Sequence, residues 1–447
     1  MTLKKEKLDK LKSKSKSKLT ANEAWNLLLD KYNIVETVEK SGFFHIKASE
    51  IKEFKEPRLM SKWDSSETLP DALSKVNLNI LPNSRSSYLL SDFLLYFPIP
   101  DLTESIPTMH RVIPPELESI KLENITSESN AINLLVLTNI LDDFLGVDNT
   151  VSTFNGRMGT GVFDFSVDTT RGNQNVHVTN AQCEIDGGFE NDQAVIIMEA
   201  KNVLYTDFHI RQLYYPYRLW KEKVEKPIRL VFSIYTNQIF RLFEFKFTDP
   251  YNYSSIQLIQ EKNYTLQDTE ITMEELEQIR KETPIIYSDS MDSTSIPFIQ
   301  ADSFERVISL MENLYGLPKS EKEIAEEVMQ FDPRQANYYY NAGRYLRLFT
   351  KVKDSDQMSK LICLSPLGKK IHKMNYKERN LKLVELIFQH KMFAICFDYI
   401  INNGDLPSKE FIKSKMNELE VCSDNLLNRR SSSVIGWLKW IVTLTKI

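Results

Sequence analysis

The chain has 447 residues, 42% hydrophobic and 11% aromatic, enough to bury cores in roughly two to four domains. Charged residues make up 26%, and no apolar run approaches the roughly 18 to 20 residues that cross a bilayer, so a membrane span, a fibrous protein and a globally disordered chain are excluded. The net charge of −5 is uneven: residues 1–18 hold 8 basic and 2 acidic side chains, residues 19–333 hold 28 and 49, and residues 334–447 hold 20 and 10.

Four cysteines (Cys183, Cys363, Cys396, Cys422) are scattered without a CxxC pair, and the Lys/Ser-rich N-terminus lacks an apolar stretch. A reduced, cytoplasmic protein is expected rather than a disulfide scaffold, a zinc module or a secreted one.

Residues 1–19 read as a basic, solvated arm, because too few apolar groups are present to offset ordering. Thr20-Ala-Asn-Glu23 is a capping box that opens a helix carrying Ala24, Leu27, Leu28 and Tyr32. Mixed α and β structure follows to 115, with a strand over Tyr88–Phe97. A long helix is predicted from Ser127 to Gly146, then strands around Gly161–Val167, Val176–Glu184 and Ala194–Glu199, a helix near Ile210–Lys221, and strands Ile228–Thr236 and Ile239–Phe247. That order is the grammar of a mixed α/β domain. Residues 249–300, acidic and rich in Ser, Thr and Asp, read as a surface connection.

The last third changes character. Ser320-Glu-Lys-Glu323 is a second capping box, and Asp332-Pro333 supplies an N-cap and a first-turn proline for a helix through Phe349. A polar stretch, a strand at Leu361–Leu364 and a helix start at Ser365-Pro366 complete the order of a winged helix. A helical stripe from His390, a turn at Asn403-Gly404 and a final helix over Ser431–Val442 close the chain.

The densest charge beside apolar sequence is Gln182-Cys-Glu184-Ile-Asp186-Gly-Gly-Phe-Glu190, followed by Ala194-Val-Ile-Ile-Met-Glu199-Ala-Lys201. Strand alternation puts Glu199 and Lys201 on one face with Val195 and Ile197, and Ile196, Met198 and Ala200 on the other. A carboxylate and an ammonium ending an apolar strand are costly unless partnered. A divalent metal satisfies the carboxylates, with Asp186 as second ligand, and oxygen-only ligation suits Mg²⁺. Lys201 beside it would orient or help deprotonate a water. An ordinary salt-bridged strand end is the plainer alternative.

Asp186…Glu199-Ala200-Lys201 resembles the PD-(D/E)XK nuclease signature, with Ile185 where that signature has Pro. Arg211-Gln212-Leu213-Tyr214-Tyr215-Pro216-Tyr217 looks like the helix that carries a Gln near the active site in several branches of this superfamily. The stretches 56–64, 154–158, 332–339 and 429–437 look like segments of type II restriction endonucleases with winged-helix modules after the core. The resemblance implies Mg²⁺-dependent double-strand cleavage of double-stranded DNA at a short site. It names Asp186, Glu199, Lys201 and Gln212 as the site, a homodimer as the cutting unit, and a DNA methyltransferase encoded nearby as functional partner. A modification-dependent or nicking enzyme and a winged-helix regulator with an inactive core are its rivals.

Glu184 is a candidate additional acid or a solvated strand carboxylate, and Glu128 a candidate acid or a helix-start residue that complements the macrodipole. Arg334, Gln335, Asn337 and Arg344 are the DNA-facing candidates of the second winged-helix helix. Lys351, Lys353 and Lys360 would flank the wing. Arg429 and Arg430, before an apparent N-cap serine run, are candidate phosphate contacts or a solvated basic turn. The expected divisions are 1–19 arm, 20–115 α+β region, 116–300 nuclease core with connector, 301–378 winged helix and 379–447 helical module.

Overall fold

A computed structural model describes residues 19–101, 108–114, 118–120, 125, 127–267, 269–291, 296–329, 333–353 and 360–446, without the side chains of 326, 327, 333 and 334. Most of the expected basic arm, the Asp332 cap and the Arg334 side chain lie outside the described residues. The fold is mixed α/β with a mainly helical C-terminal region.

A seven-stranded mixed sheet organises the middle of the chain. Its strands are β1 (Thr108–His110), β2 (Val151–Gly159), β3 (Gln182–Glu190), β4 (Val195–Lys201), β5 (Ile228–Thr236), β6 (Ile239–Phe247) and β7 (Ile256–Thr265), in the order β1-β7-β6-β5-β4-β3-β2. The β4–β5 and β1–β7 pairs are parallel and the others antiparallel. Strand β4 lies inside the sheet and every one of its residues is buried.

Alternation sorts its side chains as the sequence predicts. Ile196, Met198 and Ala200 pack with the helices Glu128–Leu137 and Ile140–Leu145 on one face. Ile197 faces the Arg211–Lys221 helix and the antiparallel hairpin Val162–Thr169/Gly172–Thr179, whose Phe163, Phe165 and Val167 join Tyr214 and Tyr215 in a second cluster. Burying a side chain such as Ile197 or Phe165 contributes about 1.5–3 kcal/mol, so two such faces position the sheet firmly.

The N-terminal residues form their own core around Trp25, Leu28, Ile51 and Leu90, over a three-stranded sheet of Phe44–Lys47, Asn79–Pro82 and Ser87–Ser91. Both predicted capping boxes, at Thr20/Glu23 and Ser320/Glu323, are formed. At the other end one hydrophobic cluster runs from Val203 to Leu444, so residues 301–378 and 379–447 share a core. Helices Phe304–Asn313, Glu321–Glu323 and Pro333–Tyr345 precede a hairpin of Phe349–Lys353 and Lys360–Leu364, which Lys319 extends by a bridge to Ile362.

Several boundaries differ from expectation. Residues 249–300 are not only connection, because Ile256–Thr265 is a core-sheet strand and Met273–Glu282 a capped helix. The Ser127 helix breaks at Asn139, which takes a left-handed φ of 54°. Val176–Glu184 is two strands parted at Asn180, φ 52°. The helix after Pro333 stops at Tyr345, since Phe349 already belongs to the hairpin.

The N-terminal unit is tied to the sheet region by Asp92. Its buried carboxylate accepts from Arg171 Nη2 at 2.8 Å and Nε at 3.0 Å, from Ser91 and from Thr170, while Arg171 also donates to the Val38 carbonyl at 3.1 Å. Burial alone would raise the Asp92 carboxyl, but the donors, Arg171 foremost, hold it well below the usual carboxylate range. Its stabilisation is therefore present above the unfolded value near pH 4 and is lost as pH falls through the folded one. Asp92→Asn should destabilise by roughly 1–3 kcal/mol at pH 7, toward the lower figure because Arg171 is half exposed. In urea titrations the gap to the parent should narrow between about pH 5 and pH 2; a constant gap would refute the assignment.

Candidate active site

Strands β3 and β4 separate where the predicted carboxylates stand. Their ladder runs to Gly187–Met198, and beyond it the Asp186 side chain takes over, with Oδ2 accepting from the Ala200 amide at 3.0 Å. Gly188 is required here, because a Cβ would lie 2.2 Å from the Phe154 ring. Glu199 and Lys201 project from β4 toward the Arg211–Lys221 helix. Lys201 Nζ donates to Glu199 Oε1 at 2.6 Å, and Gln212 Nε2 donates to the same oxygen. Thus Asp186, Glu199, Lys201 and Gln212, which span 27 residues of sequence, meet at one point.

A fifth residue was not singled out by sequence. Asp64, whose side chain is 2% exposed, places Oδ2 3.3 Å from Lys201 Nζ on another side of the ammonium. It ends the stretch 56–64 in which the resemblance was noted, yet it lies 122 residues before Asp186 and its neighbours carry no spacing that signals a role. Only tertiary packing brings it to the site. Burial alone would raise its carboxyl, but Lys201, Lys62 and Arg211 outweigh this and bring it down to about 2.

The charges are unequal. Burial pushes the Glu199 carboxyl well above its usual range, helped by Asp186 and Asp64 and opposed by Lys201. Burial would lower the Lys201 ammonium, but Asp64, Glu199, Glu128 and Asp186 together hold it well above its ordinary value. Glu128, in the first turn of its helix, is pushed up mainly by burial, with Asp186 and Asp64 adding to it. Glu128, which the sequence leaves open as a site acid or a residue complementing the macrodipole, lines the cleft beside the site. Glu184 lines the same cleft as Asp186 and makes a half-exposed ion pair with Arg157 at 3.2 Å.

These side chains floor a cleft of about 1610 Å³. Its walls come from the N-terminal unit (Arg58, Lys62, Arg85), the sheet region (Arg157, Arg211) and the C-terminal region (Lys319, Gln335). Some of the buried polar atoms without a hydrogen-bond partner among the described residues lie here, namely Asp64 Oδ1, Gln212 Oε1, Asn202 Oδ1 and Arg211 Nε, while Asp64 Oδ2 has only the Lys201 ammonium. Each such atom costs about 1–3 kcal/mol when it meets neither water nor a ligand, so these groups are open to partners that enter the cleft. Several carboxylates around one ammonium, with orphaned oxygens, are the donor set of a hard cation. Asp186 and Glu199 are the residues that could hold one. No three His, Cys, Asp or Glu side chains among the described residues form a ready metal cage, so further ligands would be water and substrate oxygens.

The candidate DNA-facing residues are dispersed. Gln335 lines the cleft, Asn337 is exposed, and Arg344 lies half-buried with its guanidinium 5.6 Å from the Tyr340 ring. Lys351 pairs with Glu321 at 2.6 Å, so that contact is made within the chain. Tyr339 and Tyr340 are buried, and Tyr338 carries the Arg429 guanidinium at 4.8 Å. The arginine pair requires correction. The last helix begins at Asp424 rather than Ser431, so Arg429 and Arg430 sit within it and their amides do not form a helix start. Arg430 is 7% exposed and thus unavailable as an open phosphate contact.

No helix among the described residues is long and apolar enough to cross a membrane. Three family models match the chain, each described as a domain of unknown function: DUF6996 over residues 22–90, DUF6997 over 91–265 and DUF7226 over 306–446. No curated protein and no solved structure matches it. The cleft draws on all three matched segments, with Asp64 in the first, Asp186, Glu199, Lys201 and Gln212 in the second, and Gln335 in the third.

Proposed function

We propose that the protein is a Mg²⁺-dependent endonuclease of the PD-(D/E)XK type that cuts double-stranded DNA at a short specific sequence, as type II restriction endonucleases do. The observation that carries this reading is the meeting of Asp186, Glu199, Lys201 and Gln212 on the floor of a cleft whose walls carry both basic and acidic side chains, Arg58, Lys62, Arg85, Arg157 and Lys319 among the basic ones. In this reading the seven-stranded sheet with its flanking helices is a restriction-endonuclease-like core. Helices Phe304–Asn313, Glu321–Glu323 and Pro333–Tyr345 with the following hairpin make a winged helix, which is supported by their order and by the Lys319–Ile362 bridge.

Asp186 and Glu199 would hold Mg²⁺, which supplies positive charge as negative charge builds on the scissile phosphate. Asp186 is kept in place by the Ala200 amide, and Gln212 fixes one oxygen of Glu199. Lys201, held between Glu199 and Asp64, would orient or help deprotonate the attacking water and pair with phosphate oxygen. Arg58, Lys62, Arg85 and Lys319 border the cleft and would meet backbone phosphates. A homodimer cuts both strands of a palindrome with one such site per protomer, and a nearby methyltransferase would protect the host sequence.

Purified protein with plasmid DNA and Mg²⁺ should give discrete fragments, and Lys201→Ala or Asp186→Ala should lower the rate by about 10²–10⁴-fold. Cutting by these variants as fast as the parent refutes the site. Cleavage only of methylated plasmid, or single-strand nicks, identifies the modification-dependent or nicking rival, and binding without cleavage on any methylation state identifies the inactive-core regulator.

Millimolar Mg²⁺ should raise the Tm of the parent by an amount that grows with concentration, and this response should be absent in Asp186→Ala. An equal response in both proteins means that the carboxylate holds no metal.

DNA affinity measured in Ca²⁺ should fall steeply with salt, and Arg85→Ala should reduce the log–log slope by about 1. A salt-insensitive complex counts against the DNA partner.

A further inference from the structure

Asp64 is a buried carboxylate of the cleft to which the proposed reaction gives no role. It belongs to the N-terminal unit, yet its loop is fastened to the strand Asp207–His209 that leads into the Gln212 helix. The His209 amide donates to the Asp64 carbonyl at 2.8 Å, Ser65 Oγ and the Ser66 amide donate to Asp207 Oδ1 at 2.6 and 2.8 Å, and Ser66 Oγ donates to Asp207 Oδ2. These four bonds fix where the Asp64 carboxylate stands. It then faces Lys201 at 3.3 Å, while Glu199 holds the same ammonium at 2.6 Å.

A long Lys side chain has large rotamer freedom, and a catalytic group misplaced by about 1 Å loses on the order of 10²-fold in rate. Glu199 cannot fix Lys201 alone, because both extend from the same strand two residues apart and one contact leaves the ammonium free to swing. A second anion from outside the sheet restrains it. A purely structural ion pair buried this deeply is expected to have its remaining acceptor sites hydrogen-bonded. Apart from Lys201, neither Asp64 oxygen has a hydrogen-bond partner among the described residues, and Asp64 lines the cleft.

We propose that Asp64 is the positioning residue for Lys201, so that the N-terminal unit supplies part of the nuclease centre rather than only a DNA-binding surface. The inference rests on the reading of Asp186, Glu199 and Lys201 as that centre, with Asp64 acting on the substrate through Lys201.

The test compares full-length parent, Asp64→Asn, Asp64→Glu, Lys201→Met and the double variant Asp64→Asn/Lys201→Met. Single-turnover plasmid cleavage is measured in Mg²⁺, duplex affinity in Ca²⁺ and unfolding in urea. Asp64→Asn should cut about 10- to 100-fold more slowly with affinity within about threefold of the parent, and should add no further loss when Lys201 is already Met. Asp64→Glu, which keeps the charge but moves it by one methylene, should fall between parent and Asn; if Asn does not fold, a Glu variant that cuts at the parental rate overturns the proposal. So does an Asn variant that cuts at the parental rate, or one whose affinity falls as far as its rate. If the parent cuts no duplex, the nuclease reading fails by itself. Asp64 is then judged by the unfolding cycle, where non-additive Asp64 and Lys201 effects support the pairing and additive ones overturn it.

Discussion

Lys201 is an ammonium buried inside a sheet, and this is the constraint around which the other parts are placed. A charge at that depth, unpaired, costs at least several kcal/mol. Glu199 supplies one counter-charge at 2.6 Å from two residues earlier on the same strand. Gln212 must then occupy the same carboxylate from the helix above, and Asp64 must arrive from a different part of the chain. Glu199 accepts from both Lys201 and Gln212, whereas Gln212 Oε1 and Asp64 Oδ1 are buried without a hydrogen-bond partner among the described residues.

The same constraint explains how the three regions are joined. The segment after Lys201 is gripped from both sides. Ser309 Oγ donates to the Asn202 carbonyl at 3.0 Å and Arg306 Nε to the Leu204 carbonyl at 3.0 Å, both from the first C-terminal helix. Arg306 also pairs with Glu67 of the N-terminal unit, three residues beyond Asp64. The chain leaving the site touches both flanking units within five residues, because the Thr206 amide donates to Glu67 Oε2 at 3.2 Å. Displacing either unit would disturb the carboxylate and ammonium positions on which the proposed chemistry depends.

The elements legible in sequence were those whose burial is written in periodic apolar residues. Ile228–Thr236 and Ile239–Phe247 are buried almost throughout, and the turn between them uses Asn237 and Gln238 at positive φ. The face of β4 that carries Glu199 and Lys201 followed from period two alone. Strand β2 went unread because it is a sheet edge with Val151, Ser152 and Thr153 exposed, and β7 because Gln257, Gln260, Glu261 and Lys262 give it the composition of a connector. The start of the last helix is not legible because Ser423-Asp424 has neither the acid three positions on that marks the Thr20 and Ser320 caps nor the proline that follows Asp332 and Ser365. Asp64 is illegible for a different reason: its position is fixed by four hydrogen bonds between its loop and the strand Asp207–His209, far apart in sequence, and no local pattern encodes such a meeting.

The central claim is that the buried Asp186, Glu199 and Lys201 cluster cuts DNA at a defined place. End mapping of the fragments from a plasmid of known sequence, digested by the purified protein in Mg²⁺, tests it most directly. The account predicts breaks in both strands at a fixed offset from one recurring short sequence, abolished by chelation of the metal. Intact plasmid in every methylation state, or breaks scattered without relation to sequence, would contradict it.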